Sequence, residues 1–403
     1  MPRPGPNARR SKVDCECGRS PMQTSTRTSI FERLGIKPVI NAKGFNTVVG
    51  GNTPSPRMRE AIEEVERYYV DMQQLLAASG RAIADLMGAE AAHVTPGAAA
   101  ALALGTAACM TGMDIDRMAQ LPDTTGLRDT VLTQRPMVNQ YDRAVTVHGA
   151  RLREVGSEDG CSATELAAAI DDRTVAILFP AHLDLLTGIV PLDEVIRIAH
   201  ARDVKVIVDA AGQVFPIERF TSFPKSGADL VAYSLKYFGG ANSAGMLLGR
   251  KDLVEAAAMQ AFIGFEHQTN RKGLGRGYKL DRQEIVCAVV AVEDWLTTDH
   301  NRRLAESERR IGVIARAVES LPGVTCETIR QRGAAPRLLH IHVDPSRPGR
   351  DADDVFVGLQ QGNPMIYVNR APNILVVNPE PLRTEGDVDA VAARLRQLLT
   401  PTG

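Results

Sequence analysis

Residues 206–213 read VIVDAAGQ, and residues 229–236 read DLVAYSLK. Each stretch is a short apolar run, rich in β-branched residues, that ends in a polar group and is bounded by turn-forming residues. This pattern is typical of buried strands in a parallel sheet, which carry functional groups at their carboxyl ends. The two stretches therefore predict neighbouring strands that deliver Asp209 and Lys236 to the same region of a sheet.

Lys236 and Asp209 form a chemically meaningful pair. A lysine at the end of a buried strand loses hydration, so its pKa falls and its amine becomes a usable nucleophile. A nearby carboxylate is what a pyridinium nitrogen requires if it is to stay protonated as an electron sink. The pair therefore predicts pyridoxal phosphate as the cofactor. The alternatives are a surface lysine at a strand end and an aspartate that caps the following helix.

Composition limits the classes of protein that the chain can be. Of its 403 residues, 44% are hydrophobic and 24% are charged, which is ordinary for a globular protein. The formal net charge of −1 argues against a general nucleic-acid or membrane surface. No apolar run is long enough to span a bilayer. The six cysteines show no CxxC pair and no zinc-site spacing, so we expect no metal and a cytoplasmic location.

The chain is expected to contain three regions. Residues 1–28 are rich in Arg, Pro and Ser without an apolar core, which predicts a disordered leader rather than a secretory signal. Repeated strand–helix units predict a large α/β domain with a doubly wound, mostly parallel sheet over residues 29–290. Residues 291–403 predict a smaller α+β domain. Within the large domain we expect a surface loop at 112–126 and a strand near Val145.

Residues 92–102 read AHVTPGAAAAL and predict a strand end, a tight turn and an alanine-rich helix. Small residues at the start of the helix leave its backbone N–H groups open to a ligand. The helix dipole and these donors make an anion site, for which a phosphate is the natural occupant. The alternative is a closely packed, buried helix.

Four motifs together resemble the fold-type I pyridoxal phosphate enzymes. They are TPGAAAAL (95–102), VDAA (208–211), SLKYFGG (234–240) and RGYKLDR (276–282). The resemblance is strongest to the branch that contains bacterial selenocysteine synthase, the seryl-tRNA selenium transferase, and the glucosaminate-6-phosphate ammonia-lyases. It covers residues 36–399 and implies an aspartate aminotransferase-like fold. It also implies a homodimer or larger ring with active sites at subunit interfaces.

The resemblance implies roles for the residues around the cofactor. Lys236 would form the Schiff base and later carry the α-proton, and Asp209 would hold the pyridine nitrogen protonated. A hydroxyl just before the lysine would contact the phosphate, and either Tyr233 or Ser234 could supply it. Three backbone amides would cradle the phosphate, those of Gly97, Ala98 and Ala99.

Three further side chains are expected at the cofactor. His182 and Asp184 follow a predicted buried strand and should face the cofactor edge. By similarity of spacing to the cysteine desulfurases, Asp184 would contact the ring oxygen, whereas His182 alone could be a core histidine. Gln134 follows another predicted strand and is a candidate for packing over the ring.

Basic residues further along the chain are candidates for the substrate. Arg276 and Lys279 match the basic pair that binds anions in selenocysteine synthase, and arginine grips carboxylate or phosphate through two hydrogen bonds. The alternative for that pair is a solvated basic loop. Arg370 lies among the small-domain strands, where this fold type often keeps an arginine for the substrate carboxylate.

The sequence favours a lyase that acts on a small hydroxylated amino acid and yields a 2-oxo acid and ammonia. The alternatives are transfer to seryl-tRNA as in selenocysteine synthase, an aminotransferase, a racemase and a non-catalytic binding protein. The near-neutral charge argues against tRNA, as does the run GGANS at 239–243, where selenocysteine synthase has Gly-Pro-Gln. An intact Asp209–Lys236 pair argues against a binding protein.

Overall fold

A computed structural model of the chain describes residues 29–267, 273–330, 337–346 and 351–400. The sequence-predicted leader, residues 1–28, lies outside the described residues. The chain divides into two compact units, residues 1–38 and residues 39–403. In the described part of the first unit, a one-turn helix is capped by Ser29, whose hydroxyl accepts from Glu32 N at 3.1 Å.

The helices of the described chain mostly begin at side chains that cap them. They are α1 (Ile30–Arg33), α2 (Pro56–Glu66), α3 (Met72–Met87), α4 (Gly97–Thr111), α5 (Ile115–Gln120), α6 (Arg143–Thr146), α7 (Ala163–Ala169), α8 (Leu192–His200), α9 (Ile217–Ser222), α10 (Lys251–Gln260), α11 (Phe262–His267), α12 (Arg282–Thr297), α13 (His300–Val318), α14 (Ala352–Gln360) and α15 (Glu385–Leu399). Ser55, Asp71 and Thr384 accept hydrogen bonds from the first turns of α2, α3 and α15.

The strands are short, and those at the centre of the large sheet are apolar. They are β1 (Val39–Asn41), β2 (Ala91–Thr95), β3 (Thr130–Gln134), β4 (Arg151–Val155), β5 (Thr174–Pro180), β6 (Lys205–Asp209), β7 (Leu230–Ser234), β8 (Gly245–Gly249), β9 (Val324–Arg330), β10 (Arg337–Val343), β11 (Met365–Tyr367), β12 (Asn369–Ala371) and β13 (Ile374–Val377). Every residue of β3, β5, β7 and β8 is buried.

A seven-stranded sheet forms the centre of the second unit, in the order β2-β8-β7-β6-β5-β3-β4. β8 is antiparallel to both of its neighbours, and the other pairings are parallel. In the parallel register, Pro180 lies opposite Asp209, and Asp209 lies opposite Ala232. The carboxyl ends of β5, β6 and β7 therefore share one edge, as the sequence predicted.

Both faces of this sheet are covered, which explains the continuous apolar runs. Val206 and Val208 point to one face and pack in a cluster that also contains Trp295 of α12. Ile207 points to the other face and joins a cluster with α4, including Leu104. Because successive side chains alternate between faces, a strand buried on both sides needs apolar residues at every position.

A smaller antiparallel sheet follows the central one, in the order β12-β13-β10-β9. On β10, Leu339, Ile341 and Val343 are buried in a cluster with Ile311 of α13 and Leu395 of α15. The early strand β1 pairs in parallel with β11, so the chain after residue 38 joins the carboxyl-terminal part of the molecule. The predicted combination of a mostly parallel sheet with a smaller α+β region is thus present.

Two local predictions from the sequence need correction, and one strand was not predicted. Val145 is not in a strand: it lies in α6, fully buried in the α4 cluster, so its apolar character reflects helix packing. The strand next to β3 is instead β4. The predicted loop at 112–126 contains α5, because Asp114 accepts from the backbone N–H groups that start that helix. The short strand β12, paired with β13, was not predicted.

The predicted domain boundary at residue 290 falls inside α12. Val290, Ala291 and Trp295 of this helix pack in the same cluster as the central sheet. The Trp295 indole also donates to Val214 O at 2.8 Å. We therefore propose that the boundary follows the end of α12 at Thr297.

The contact between α3 and β2 depends on a glycine. We expect Gly80→Ala to lower the free energy of unfolding by about 1–3 kcal/mol, because a Cβ there would lie 2.2 Å from Ala92 O. Gly386→Ala in α15 is the matched control, with its nearest atom, Thr384 Oγ1, at 3.7 Å. Denaturant titration of both variants measures the difference; equal stability would contradict the proposed close approach.

Candidate active site

Asp209 is the last residue of β6 and is buried, with 7% of its surface exposed. Its Oδ1 accepts a hydrogen bond from Ala211 N at 3.0 Å. Burial raises the pKa of Asp209, and the Ala211 N–H and the nearby His182 partly oppose that rise. A buried carboxylate is costly unless a cation joins it. Asp209 is therefore suited to a cationic ligand such as a protonated ring nitrogen.

Lys236 lies just beyond β7 in a one-turn 3-10 helix, Leu235–Phe238, which ends at Gly239 with φ 95°. Its Nζ donates to Thr47 Oγ1 at 2.9 Å and lies 5.1 Å from the centroid of the Tyr237 ring. Burial lowers the pKa of Lys236. A larger fraction of neutral amine at physiological pH makes the side chain a better nucleophile and base.

The start of α4 provides an uncapped helix end beside β7. Pro96 precedes the helix without a side-chain cap, so the amides of Gly97, Ala98 and Ala99 have no partner within the helix. Gly245 of β8 lies opposite Ser234 of β7. A Cβ at Gly245 would lie 2.4 Å from Gly97 C and 2.7 Å from Ala98 N, so only glycine allows the helix start to approach here.

The choice between Tyr233 and Ser234 is decided by their surroundings. Tyr233 is fully buried, and its hydroxyl donates to Phe220 O at 2.7 Å. Its neighbour Ser234 points to the opposite face of β7 and lies at the strand end beside Gly245. The geometry therefore argues against Tyr233 as a phosphate contact and leaves Ser234 as the candidate hydroxyl.

Gln134 is occupied elsewhere, which argues against its predicted position over the ring. The side chain is fully buried; its Nε2 donates to Val190 O at 2.9 Å, and its Oε1 accepts from Val190 N at 2.6 Å. These two bonds tie the end of β3 to the loop after β5. Its amide is therefore used to join two segments of the fold.

His182 and Asp184 follow β5 but have different surroundings. His182 is exposed in the 3-10 helix Ala181–Leu183 and lowers the pKa of Asp209 through its charge. Asp184 Oδ2 instead accepts from Arg219 Nη2 at 2.6 Å. Arg219 also donates to Ala181 O at 3.0 Å, so the pair fixes the turn after β5. The predicted contact between Asp184 and a ring oxygen competes with this ion pair.

The predicted substrate-binding residues have partners of their own. Arg276 Nε lies 3.1 Å from Glu266 Oε1, and Lys279 is exposed. Arg370 pairs with Asp353 and stacks 5.1 Å from the centroid of the Phe356 ring. The described contacts do not bring Arg276, Lys279 or Arg370 to Lys236.

A different arginine lies near the lysine turn. Arg383 Nη2 donates to Asn52 Oδ1 at 3.0 Å and to Thr53 O at 2.7 Å. Asn52 and Gly239, three residues beyond Lys236, line one cavity of about 380 Å³. Burial and the neighbouring Arg59 lower the pKa of Arg383. Its backbone N–H donates to Asp387 Oδ2 at 3.2 Å, but the described contacts give its guanidinium no carboxylate partner. The guanidinium is therefore suited to an external anion.

The residues missed by sequence reasoning, Thr47, Asn52 and Arg383, make contacts that span 189 to 331 positions. No local pattern marks Thr47 or Asn52. Arg383 carried a weak signal, because it follows an apolar strand and a proline-rich turn and directly precedes the cap of α15.

Taken together, these groups fit pyridoxal phosphate. A buried acid suits the ring nitrogen, the Lys236 amine can form the covalent link, and the open start of α4 suits a phosphate. Within the described ranges, no cluster of three His, Cys, Asp or Glu side chains could hold a metal ion. No helix in that part of the chain is long and apolar enough to cross a membrane.

Known proteins resemble this chain in sequence over most of its length. Residues 138–278 match the aminotransferase class-V family. The chain is 31% identical to 5'-C-glycyluridine monooxygenase-decarboxylase of a Streptomyces species, over 94% of each chain. It is 28% identical to D-glucosaminate-6-phosphate ammonia lyase of Salmonella typhimurium, over 92% of this chain and 98% of that protein.

More distant similarity and the solved structures extend this result. L-seryl-tRNA(Sec) selenium transferase of Geobacter metallireducens is 24% identical over 55% of this chain and 51% of its own length. The structure of D-glucosaminate-6-phosphate ammonia-lyase superposes with a TM-score of 0.80 at 27% identity, covering 93% of this chain and 98% of that one. The predicted fold class and resemblance are therefore confirmed. The chain belongs to the fold-type I pyridoxal phosphate enzymes, in the selenocysteine synthase-like branch, and its cofactor is pyridoxal 5'-phosphate.

Proposed function

We propose that this protein is a lyase that converts a small hydroxylated amino acid into a 2-oxo acid and ammonia. The observation that carries the proposal is similarity over nearly the full length to D-glucosaminate-6-phosphate ammonia lyase, in sequence and in fold. The presence of Asp209 and Lys236 at one edge of the sheet supports it. The overall reaction removes water from the substrate and adds water back as ammonia leaves.

The chain's own residues account for the steps around the substrate. When bound, the cofactor withdraws electrons from the substrate's α-carbon. Asp209 keeps the proton on the ring nitrogen, and the amides at the start of α4, with Ser234, bind the phosphate. Lys236 removes the α-proton and can return it as the β-hydroxyl departs. Arg383 binds the substrate carboxylate and so sets which bond at the α-carbon is broken.

A second candidate is oxidative decarboxylation of an amino acid. The 31% identity to 5'-C-glycyluridine monooxygenase-decarboxylase favours it. In that reaction the α-carboxylate would leave as carbon dioxide and molecular oxygen would be the oxidant. The two candidates differ in measurable products, because the lyase releases ammonia without consuming oxygen.

The proposal includes a cytoplasmic homo-oligomer whose substrate is a small amino acid. Several large apolar side chains of the described chain are exposed, including Tyr68 at 65%, Tyr69 at 98% and Tyr141 at 60%. Exposed apolar side chains of this size are suited to burial against another subunit.

Lys236 is the direct test of the site. We expect Lys236→Ala to lose the visible absorption band of the bound cofactor and all ammonia release, because Lys236 supplies the amine for the covalent link. Lys251→Ala, at an exposed lysine of α10, is the matched control and should behave as wild type.

Ammonia, 2-oxo acid, carbon dioxide and oxygen are measured with a panel of hydroxyamino acids and their phosphates. Ammonia release without oxygen uptake supports the lyase. Carbon dioxide release with oxygen uptake supports the decarboxylase instead, and a colourless wild type would overturn both.

We expect the buried carboxylate of Asp209 to lower the free energy of unfolding when no cofactor is bound. Its pKa is raised in the folded chain, so the folded chain binds more protons and stability falls as pH rises above the carboxyl's unfolded pKa. We therefore expect Asp209→Asn to be more stable than wild type at neutral pH without cofactor, with the difference vanishing in acid. With cofactor added, the order should reverse. Thermal unfolding across pH measures both; a neutral-pH loss without cofactor would contradict the assignment.

Arg383 and Arg370 offer a matched comparison for the substrate carboxylate. We expect Arg383→Gln to raise the KM for the amino acid about 10- to 100-fold, as for loss of a charge-assisted hydrogen bond. Arg370→Gln should leave KM unchanged, because Arg370 already pairs with Asp353. Steady-state kinetics of the two variants measure which arginine binds the substrate carboxylate. A larger rise in KM for Arg370→Gln would contradict the role of Arg383 and favour Arg370, as the sequence predicts.

A further inference from the structure

The Lys236 amine has a specific neighbour from a distant part of the chain. Nζ donates to Thr47 Oγ1 at 2.9 Å, and the two residues are 189 positions apart. On its other side, the amine lies 5.1 Å from the centroid of the Tyr237 ring. The Thr47 hydroxyl and the Tyr237 ring therefore define where the amine sits.

The backbone around Thr47 is well ordered by its own hydrogen bonds. Thr47 opens the 3-10 helix Thr47–Val49, and the Asn46 side chain accepts from Val48 N at 3.1 Å. Gly50 ends this turn in the left-handed region, with its N–H donating to Thr47 O at 3.0 Å. Thr47 itself is exposed, so its placement comes from the turn and not from side-chain packing.

Two glycines seat this turn against the rest of the molecule. A Cβ at Gly44 would lie 2.9 Å from Asn378 Nδ2, and a Cβ at Gly51 would lie 2.4 Å from Asn242 Oδ1. Both glycines have positive φ, at 104° and 70°. Arg383 binds the next residues, Asn52 and Thr53. The segment that carries Thr47 is thus held at both ends.

We propose that Thr47 is a positioning residue for Lys236: its hydroxyl accepts a hydrogen bond from the amine and holds the amine in place while it carries the substrate's proton. The part of this inference that concerns proton transfer by Lys236 rests on the proposed function. No motif pointed to Thr47, and the contact follows from the fold alone.

The hydrogen bond also affects the charge of the amine. An acceptor oxygen favours the ammonium form, whereas burial lowers the pKa of Lys236. Tyr237, on the same turn, is the titratable side chain in contact with the amine, and the described contacts of the Thr47 turn add no charged group. Thr47 therefore opposes the effect of burial and keeps the amine able to return a proton.

Three substitutions separate the hydroxyl from the shape of the turn. Thr47→Val removes the acceptor and keeps the side-chain shape, whereas Thr47→Ser keeps the acceptor. Val48→Ala, at the exposed neighbour on the same turn, is the control. The full-length chain, stripped of cofactor, is labelled with acetic anhydride over a range of pH, and peptide mass spectrometry follows Lys236 separately from other lysines.

We expect Thr47→Val to lower the pKa of Lys236 by about 1, the size expected for one hydrogen bond to a charged group. Thr47→Ser and Val48→Ala should match wild type. In the holoenzyme, Thr47→Val should lower kcat about 10-fold with KM unchanged. Equal labelling curves for Thr47→Val and wild type, or equal shifts for Thr47→Val and Thr47→Ser, would overturn the proposal. Labelling needs no turnover, so absence of ammonia release would count against the proposed function alone.

Discussion

The parallel pairing of β6 with β7 is the constraint on which the site depends. Asp209 lies opposite Ala232, so β7 continues past the acid to Ser234 and then to the turn that carries Lys236. β8 then returns antiparallel between β7 and β2, and Gly245 receives the start of α4 beside Ser234. Strand order alone therefore gathers an acid, an amine and an open helix end at one edge.

Two features of this edge are unfavourable for the chain by itself. Asp209 is a carboxylate with 7% of its surface exposed, and α4 starts without a side-chain cap. Each leaves polar groups without full compensation from the protein, which costs stability. A ligand with a protonated ring nitrogen and a phosphate compensates both groups at once. Proteins break rules of local stability mainly where function requires it, and one molecule of pyridoxal phosphate bound here would satisfy both departures.

Sequence reasoning succeeded where local pattern and burial agree. The strands ending at Asp209 and Ser234 and the glycine-led start of α4 are visible as short apolar runs with defined turns. Local pattern does not reveal a side chain's partner when that partner is distant in sequence. The sequence does not show that Gln134 binds Val190, which lies 56 positions away. Nor does it show that Arg370 of β12 pairs with Asp353 of α14. Thr47 and Arg383 were missed for the same reason: hydrophobic periodicity carries no information about such contacts.

The run GGANS at 239–243, where selenocysteine synthase has Gly-Pro-Gln, contacts the segment that carries Thr47. Asn242 in this run lies against Gly51, and a Cβ at residue 51 would lie 2.4 Å from Asn242 Oδ1. The segment that brings Thr47 to the lysine is thus seated on the stretch in which this chain departs from that enzyme. Thr47 and Asn52 lie on this segment, and Arg383 contacts Asn52. We therefore expect a change in the run to displace Thr47, Asn52 and the contact of Arg383 together. Differences in substrate within the family can therefore arise here without any change in Lys236 or Asp209.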